Sequence, residues 1–312
     1  MTIQKQASKI NIAIIGAGSI GMLFYSILYK NKLLNIYFVE TRKPLPNGKK
    51  NFKFIYYSSP NPNAIKKTFN SVIKSIDSIK EADLVLIATK SFDIARTINT
   101  IISHLSNNTL LLTMCNGYGF HNEINNKSIL KKLFLGSTTH GVYKTKNTVT
   151  HAGHGITFIG CNNSNTSKAS ISLIKTIFKT INNTKFTENI TKKMLLKLSI
   201  NAIINPLSAL YSCKNGELLH HMEDVENMIN EIYLPLTLMG LNLTKNEMTS
   251  AILKVVHNTH DNYSSMQQDF LNNRKSELRY ILLPILHKAK ENNIPLSFTQ
   301  NIYNKLSKIE SK

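Results

Sequence analysis

Lys197, Asn201 and Asn205 recur at intervals of four within KLSINAIINPL, a stretch that is otherwise almost wholly apolar. On a helix, steps of four drift by only about 40°, so the three polar groups share one stripe. Buried ammonium and amide groups are costly unless something satisfies them. An ammonium so placed can polarise a carbonyl oxygen and then hand it a proton. Amides beside it can hold a carboxylate and a hydroxyl without adding a second charge. Pro206 follows at once; it lacks an N–H and its ring crowds the carbonyl of residue 202, bending the helix there. One such lysine alone would ordinarily be reaching for solvent. Three groups in register point to a site.

A second chemical pattern lies near the start. IAIIGAGSIG places Gly16, Gly18 and Gly21 directly after a strand-like run and directly before a helical one. Gly16 permits the tight turn, Gly18 lets backbone approach a pyrophosphate, and Gly21 lets helix and strand pack closely. The helix N-terminus then offers free N–H groups to the anion. The next strand ends in FVETRK, which puts Glu40 where an acid grips ribose hydroxyls, while Arg42 and Lys43 can pair with a 2′-phosphate. The two basic residues favour NADP over NAD. Two further apolar strands end in Lys90 (LVLIATK) and in Asn116–Gly117 (LLLTMCNG). Ligands of open parallel sheets bind beyond such carboxyl ends.

The elements needed to position these residues can be read from periodicity. From Ile10 onward, short continuous apolar runs alternate with helical patterns, which predicts a parallel sheet covered on both faces. Helices are expected at Ser19–Tyr29, Ser71–Ile79 and Phe92–Leu105. KLFLGSTTHGVYKTKNTVTHAGHGITFIG reads as short strands and turns, an antiparallel extension rather than further strand–helix–strand units. After about Ile181 the period becomes helical. Helices are predicted at Ile190–Tyr211, Val225–Met239, Lys245–His257, Glu277–Asn292 and Phe298–Ile309. The expectation is an α/β Rossmann-like dinucleotide domain over residues 1–187, followed by an all-α domain over residues 188–312.

The 312 residues suffice for two such domains, and 42% hydrophobic with 18% charged residues describes a globular chain. The formal charge of +20 comes from lysines scattered along the whole length, with no basic tail or arginine-rich helix. That pattern predicts a solvated basic surface and no nucleic-acid partner. Cys115, Cys161 and Cys213 lack paired spacing, which fits a reducing compartment. The basic start followed by an apolar run loosely mimics a secretory signal, but glycines interrupt the run. No segment reaches the roughly 20 apolar residues of a membrane span. A cytoplasmic protein without a membrane partner is expected.

Nearly end to end, the chain resembles the ketopantoate reductases (2-dehydropantoate 2-reductases). The likeness rests on IGAGSIG, ATK, NGYG, the GSTTHGVYKTKNTVTHAGHGITFIG stretch, KLSINAIINPLSALYSCKNGEL and SSMQQDFLNNRKSELRYI, in that order. It implies Lys197 as proton donor, and Asn201, Asn205, Asn215 and Ser265 as substrate holders. It implies that NADPH is held by Gly16, Ala17, Gly18, Ser19, Ile20 and Gly21, by Asn116, by the backbone at Val142 and by Glu277, with Arg42 and Lys90 at the same pocket. Asn116 stands at the end of its strand, where it can also meet the substrate. The implied partner is a small 2-keto acid; the chain is expected as a monomer or homodimer. Glu-Ile-Asp-Tyr-Ile-Asn-Gly is common in the family where this chain has ELRYILL, so Arg279 replaces an acid; Cys115 stands where Gln is common.

The residues then suggest a mechanism. Hydride reaches the keto carbon, and Lys197 stabilises and protonates the oxygen. Asn201, Asn205, Asn215 and Ser265 hold the carboxylate and hydroxyl, while Glu277 anchors the cofactor and keeps Lys197 charged. Two histidine groups have spacings that chelate metals, His151 with His154, and His257 with His260 and Asp261. A three-residue step in a strand puts His151 and His154 on opposite faces, and the second group lacks a third ligand nearby, so no metal is expected. Reduction of another 2-keto acid, and cofactor binding without turnover, are the alternative readings.

Overall fold

The computed structural model describes residues 9–41, 49–58, 66–163, 166–179 and 181–310. The chain divides into two compact units, Met1–Cys115 with His121–Ile190, and Asn116–Phe120 with Thr191–Lys312.

The first unit carries β1 (Ile10–Ile15), α1 (Ser19–Leu28), β2 (Leu34–Val39), β3 (Lys49–Ser58), β4 (Lys66–Lys74), β5 (Leu84–Ile87) and α2 (Ser91–Ile101). It continues with β6 (Leu110–Met114), α3 (Lys127–Lys132), β7 (Leu133–Thr138), β8 (Gly141–Thr145), β9 (Thr148–Gly153), β10 (Thr157–Cys161), α4 (Lys168–Phe178) and β11 (Thr184–Phe186). Among the described residues these strands form one sheet in the order β11-β10-β7-β6-β5-β1-β2-β4-β3-β9-β8. From β7 to β4 neighbouring strands run parallel. All residues of β5 and β6 are buried, as expected of strands covered on both faces. β1 has β5 on one side and β2 on the other, so the order reverses at β1. The carboxyl end of such a switch point is where this architecture binds ligands.

Two expectations for this unit are corrected. The helix expected at Ser71–Ile79 is instead the end of β4 and a 3₁₀ turn, Ile76–Glu81. β4 pairs antiparallel with β3 along nearly its whole length, and Phe54 stacks on Phe69 across that pair at 5.1 Å. Tertiary pairing of aromatic residues outweighed a local helical spacing. The antiparallel extension exists as the β8–β9 hairpin and as β10 against β7, but β7 itself joins the parallel set beside β6.

The second unit is helical: α5 (Ile190–Leu210), a 3₁₀ turn (Asn215–His221), α6 (Met222–Leu238), α7 (Lys245–Asn258), α8 (Ser265–Leu271), α9 (Leu278–Glu291) and α10 (Ser297–Glu310). α5 is apolar nearly all round because the others enclose it; Ala202, Ile203, Ile204 and Leu207 are buried with Met228 and Ile232 of α6 and Ile281 and Ile285 of α9. The short α8 escapes periodicity, yet its start is fixed. Ser264 caps it by accepting from the Gln267 N–H, and the Ser208 hydroxyl of α5 donates to Ser264 at 2.8 Å. No single helix among the described residues is long and apolar enough to cross a membrane.

Candidate active site

In the first unit the glycine turn follows β1 and opens α1. Gly16 has φ +101°, and a Cβ there would lie 2.6 Å from the Ala88 carbonyl oxygen. A Cβ on Gly21 would fall 1.9 Å from the Gly16 oxygen, so neither position accepts a side chain without movement. Gly18 differs: a Cβ there meets nothing within 4 Å, because its backbone faces open space. The first helical bond of α1 runs from Met22 N–H to Gly18, so the amides of Ser19, Ile20 and Gly21 have no intrahelical acceptor. Open space over bare helix amides suits a pyrophosphate.

A cavity of about 460 Å³ adjoins the turn, lined among others by Gly16, Ala17, Glu40, Thr89 and Arg96. Glu40 directly follows β2 and so faces the same cavity as the turn. Lys144 of β8 donates to the Ala17 carbonyl at 2.9 Å, and burial pushes its ammonium pKa down. Lys90 is half-buried and precedes α2 as its N-cap. Val142 lies on β8 opposite His151. Arg42 lies outside the described residues.

In the second unit three of the expected residues meet. The Lys197 ammonium, half-buried on α5, donates to Asn116 Oδ1 at 2.7 Å. Asn116 Nδ2 donates to Glu277 Oε2 at 3.0 Å. The amide is therefore read in one orientation, its oxygen toward the cation and its nitrogen toward the anion. Glu277 is 4% exposed, and its carboxylate depends on donors of this kind. Gly117 makes the approach possible. It has φ +84°, and a Cβ there would lie 2.7 Å from Tyr280 Cβ. The Tyr118 N–H donates to the Tyr280 carbonyl at 2.8 Å, which pins the segment to the start of α9 beside Glu277.

The amides of the α5 stripe are enclosed to different degrees, Asn201 half-buried and Asn205 buried. Asn215 is buried; its Nδ2 donates to the Thr259 hydroxyl at 2.9 Å, while its Oδ1 is buried with no hydrogen-bond partner among the described residues. Such an acceptor costs stability until something donates to it. Ser265 is exposed at the first turn of α8, next to the buried cap Ser264.

Two family descriptions cover most of the chain: "Ketopantoate reductase PanE/ApbA" matches residues 12–164 and "Ketopantoate reductase PanE/ApbA C terminal" matches residues 189–310. The chain belongs to the ketopantoate reductase family. A 2-dehydropantoate 2-reductase of Escherichia coli O157:H7 is 28% identical over 237 residues, spanning 76% of this chain and 77% of that one. A dimeric ketopantoate reductase from Staphylococcus aureus superposes with a TM-score of 0.79 at 19% identity, over 97% of this chain and 99% of its own. D-mandelate dehydrogenase, solved with NADH and anilino(oxo)acetate, gives a TM-score of 0.81 at 19% identity, over 97% and 98%. At these identities the two structures speak for the fold: a mixed sheet with a parallel core and a helical second part.

Sequence reasoning did not single out Lys144, Arg96 or Thr89, which in this ketopantoate reductase family member stand at the glycine turn or line the cavity beside it. Lys144 looks like an ordinary charge on an exposed hairpin, and only the pairing of β8 with β9 brings it to Ala17. Arg96 sits in a helix where it also pairs with Asp93, a local pattern with no hint of a cavity. Arg279, the departure noted in ELRYILL, is exposed on α9 and lies over the Tyr280 ring.

Proposed function

We propose that this protein reduces 2-dehydropantoate to (R)-pantoate with NADPH, Lys197 acting as general acid. The observation that carries the proposal is the half-buried Lys197 ammonium held by an amide whose other end grips a buried carboxylate. A reduced nicotinamide supplies hydride to the keto carbon. Everything else falls to the chain. As the new C–H bond forms, the carbonyl π pair passes to oxygen; the Lys197 Nζ faces that developing alkoxide, stabilises it and gives it the proton that completes the hydroxyl. Asn116 and Glu277 hold the ammonium in position. Asn201, Asn205 and Ser265 take the substrate carboxylate, and the unsatisfied Asn215 oxygen takes a substrate hydroxyl. The amides of Ser19, Ile20 and Gly21, with Lys144 beside them, take the pyrophosphate. The family relatives named 2-dehydropantoate 2-reductase support the substrate. A cytoplasmic setting is proposed with it.

NADPH is preferred because Arg96 lines the cavity beside the turn and Arg42 follows Glu40 in the chain. Glu40 on the same cavity favours a second reading, NADH, since a carboxylate there suits a ribose diol and repels a phosphate. Purified protein with ketopantoate and each reduced cofactor, followed by nicotinamide absorbance, tests both. Ketopantoate-dependent oxidation, faster with NADPH, is expected; no oxidation of either cofactor overturns the activity. Glu40→Gln should raise the NADPH/NADH ratio of kcat/KM, and an unchanged ratio would remove Glu40 from cofactor choice.

A further inference from the structure

His140, His151 and His154 converge at the open end of the β8–β9 hairpin. One ring nitrogen of each lies within 4.8 Å of the other two. The His151 and His154 ring centroids are 4.4 Å apart, and those of His140 and His151 are 4.9 Å apart. This overturns the opposite-face expectation for His151 and His154. Strand alternation ends with β9 at Gly153, so His154 lies where the chain already turns. On the other strand, an irregularity in register between Gly141 and Val142 re-aims the chain leading back to His140.

The hydrogen bonds within the cluster are over-subscribed. His140 Nδ1 has one lone pair, yet both the Gly155 N–H and His151 Nε2 stand 2.9 Å from it. The Tyr56 hydroxyl is 2.6 Å from His151 Nδ1. If the hydroxyl donates, His151 Nε2 carries the proton and two donors compete for one lone pair. If His151 Nδ1 carries the proton, two lone pairs face each other across 2.9 Å. A cation resolves this where it takes the His140 Nδ1 lone pair in place of the Gly155 N–H, while Tyr56 accepts from His151 Nδ1–H and fixes that ring for ligation through Nε2. Three imidazoles about a tetrahedral Zn²⁺ need nitrogens about 3.4 Å apart, so small side-chain shifts close the site.

We infer that His140, His151 and His154 form a binding site for a divalent transition-metal ion of the Zn²⁺ class, with Tyr56 orienting His151 from behind. Three protein ligands leave a fourth position, and the exposed His154 gives the ion a way in from solvent. The site lies within the first unit and uses none of the residues assigned to hydride or proton transfer.

The test uses the full chain stripped with chelator and titrated calorimetrically with ZnCl₂ alone, and separately with Co²⁺ while visible absorption is recorded. One equivalent with a dissociation constant of about 10 μM or tighter, and cobalt bands of low-symmetry four- or five-coordination, are expected. His151→Ala should weaken Zn²⁺ by about 100-fold or more, and Tyr56→Phe by about tenfold, the scale of losing an outer-shell partner. His154→Ala is exposed, so it decides the matter even where His151→Ala fails to fold; a large loss of affinity is expected there too. His257→Ala should leave binding unchanged. Absent saturable binding, or binding that His154→Ala leaves intact, would overturn the site.

Discussion

The glycine turn of the first unit and the Lys197–Asn116–Glu277 network of the second are built in opposite ways. The turn is backbone: six consecutive residues, three of them glycines whose missing side chains create room, so it is complete within a short piece of chain. The network is side chain: its two hydrogen bonds span 81 and 161 residues of sequence and exist only after the helical unit has packed. The first should tolerate change far away and fail at one atom added locally. The second should respond to changes that are distant in the chain but adjacent in space.

Breaking the network at its cation should have the largest effect. Lys197→Ala is expected to lower kcat by roughly 10²–10⁴, the usual scale for a general acid, while dinucleotide binding followed by nicotinamide fluorescence persists. Near-normal turnover would end the acid assignment. Asn116→Ala comes next. It removes one partner from a buried carboxylate and one from an ammonium at once, and should cost about 1–3 kcal/mol of stability along with turnover. A thermal midpoint equal to that of the parent protein would show that the amide is not needed to satisfy Glu277. Gly18→Ala sharpens the contrast with the smallest change. The added methyl meets nothing in the protein, so the midpoint should hold, while dinucleotide affinity falls about tenfold, or about 1.4 kcal/mol. Unchanged affinity would mean that the open space over Gly18 is not where the pyrophosphate lies.

The same contrast explains what the sequence could say. The turn is local, so its glycines, the strand before it and the helix after it are legible as one motif. The stripe of Lys197, Asn201 and Asn205 is legible because helical period is legible. Nothing in the chain near residue 116 announces Glu277; the family likeness implied a cofactor role for each but no bond between them, and no spacing rule spans 161 residues. Tertiary partners also misled. The segment from Ser71 carries helical spacing but found a strand partner in β3, and His154 escaped the alternation rule by lying just past the end of β9. The short α8 has too few residues for a period to show; its cap bond to α5, rather than its composition, fixes where it starts.

The lone carbonyl on Asn215 has a consequence for selectivity. On the proposed function, a keto acid bearing a terminal hydroxyl would satisfy that buried acceptor, whereas a methyl in the same place would leave it unsatisfied. Discrimination would then come from punishing the wrong guest rather than from gripping the right one harder, by about 1–3 kcal/mol for one such group. Comparing kcat/KM for ketopantoate with that for its deoxy analogue measures the penalty, and a ratio near one would show that Asn215 does not choose.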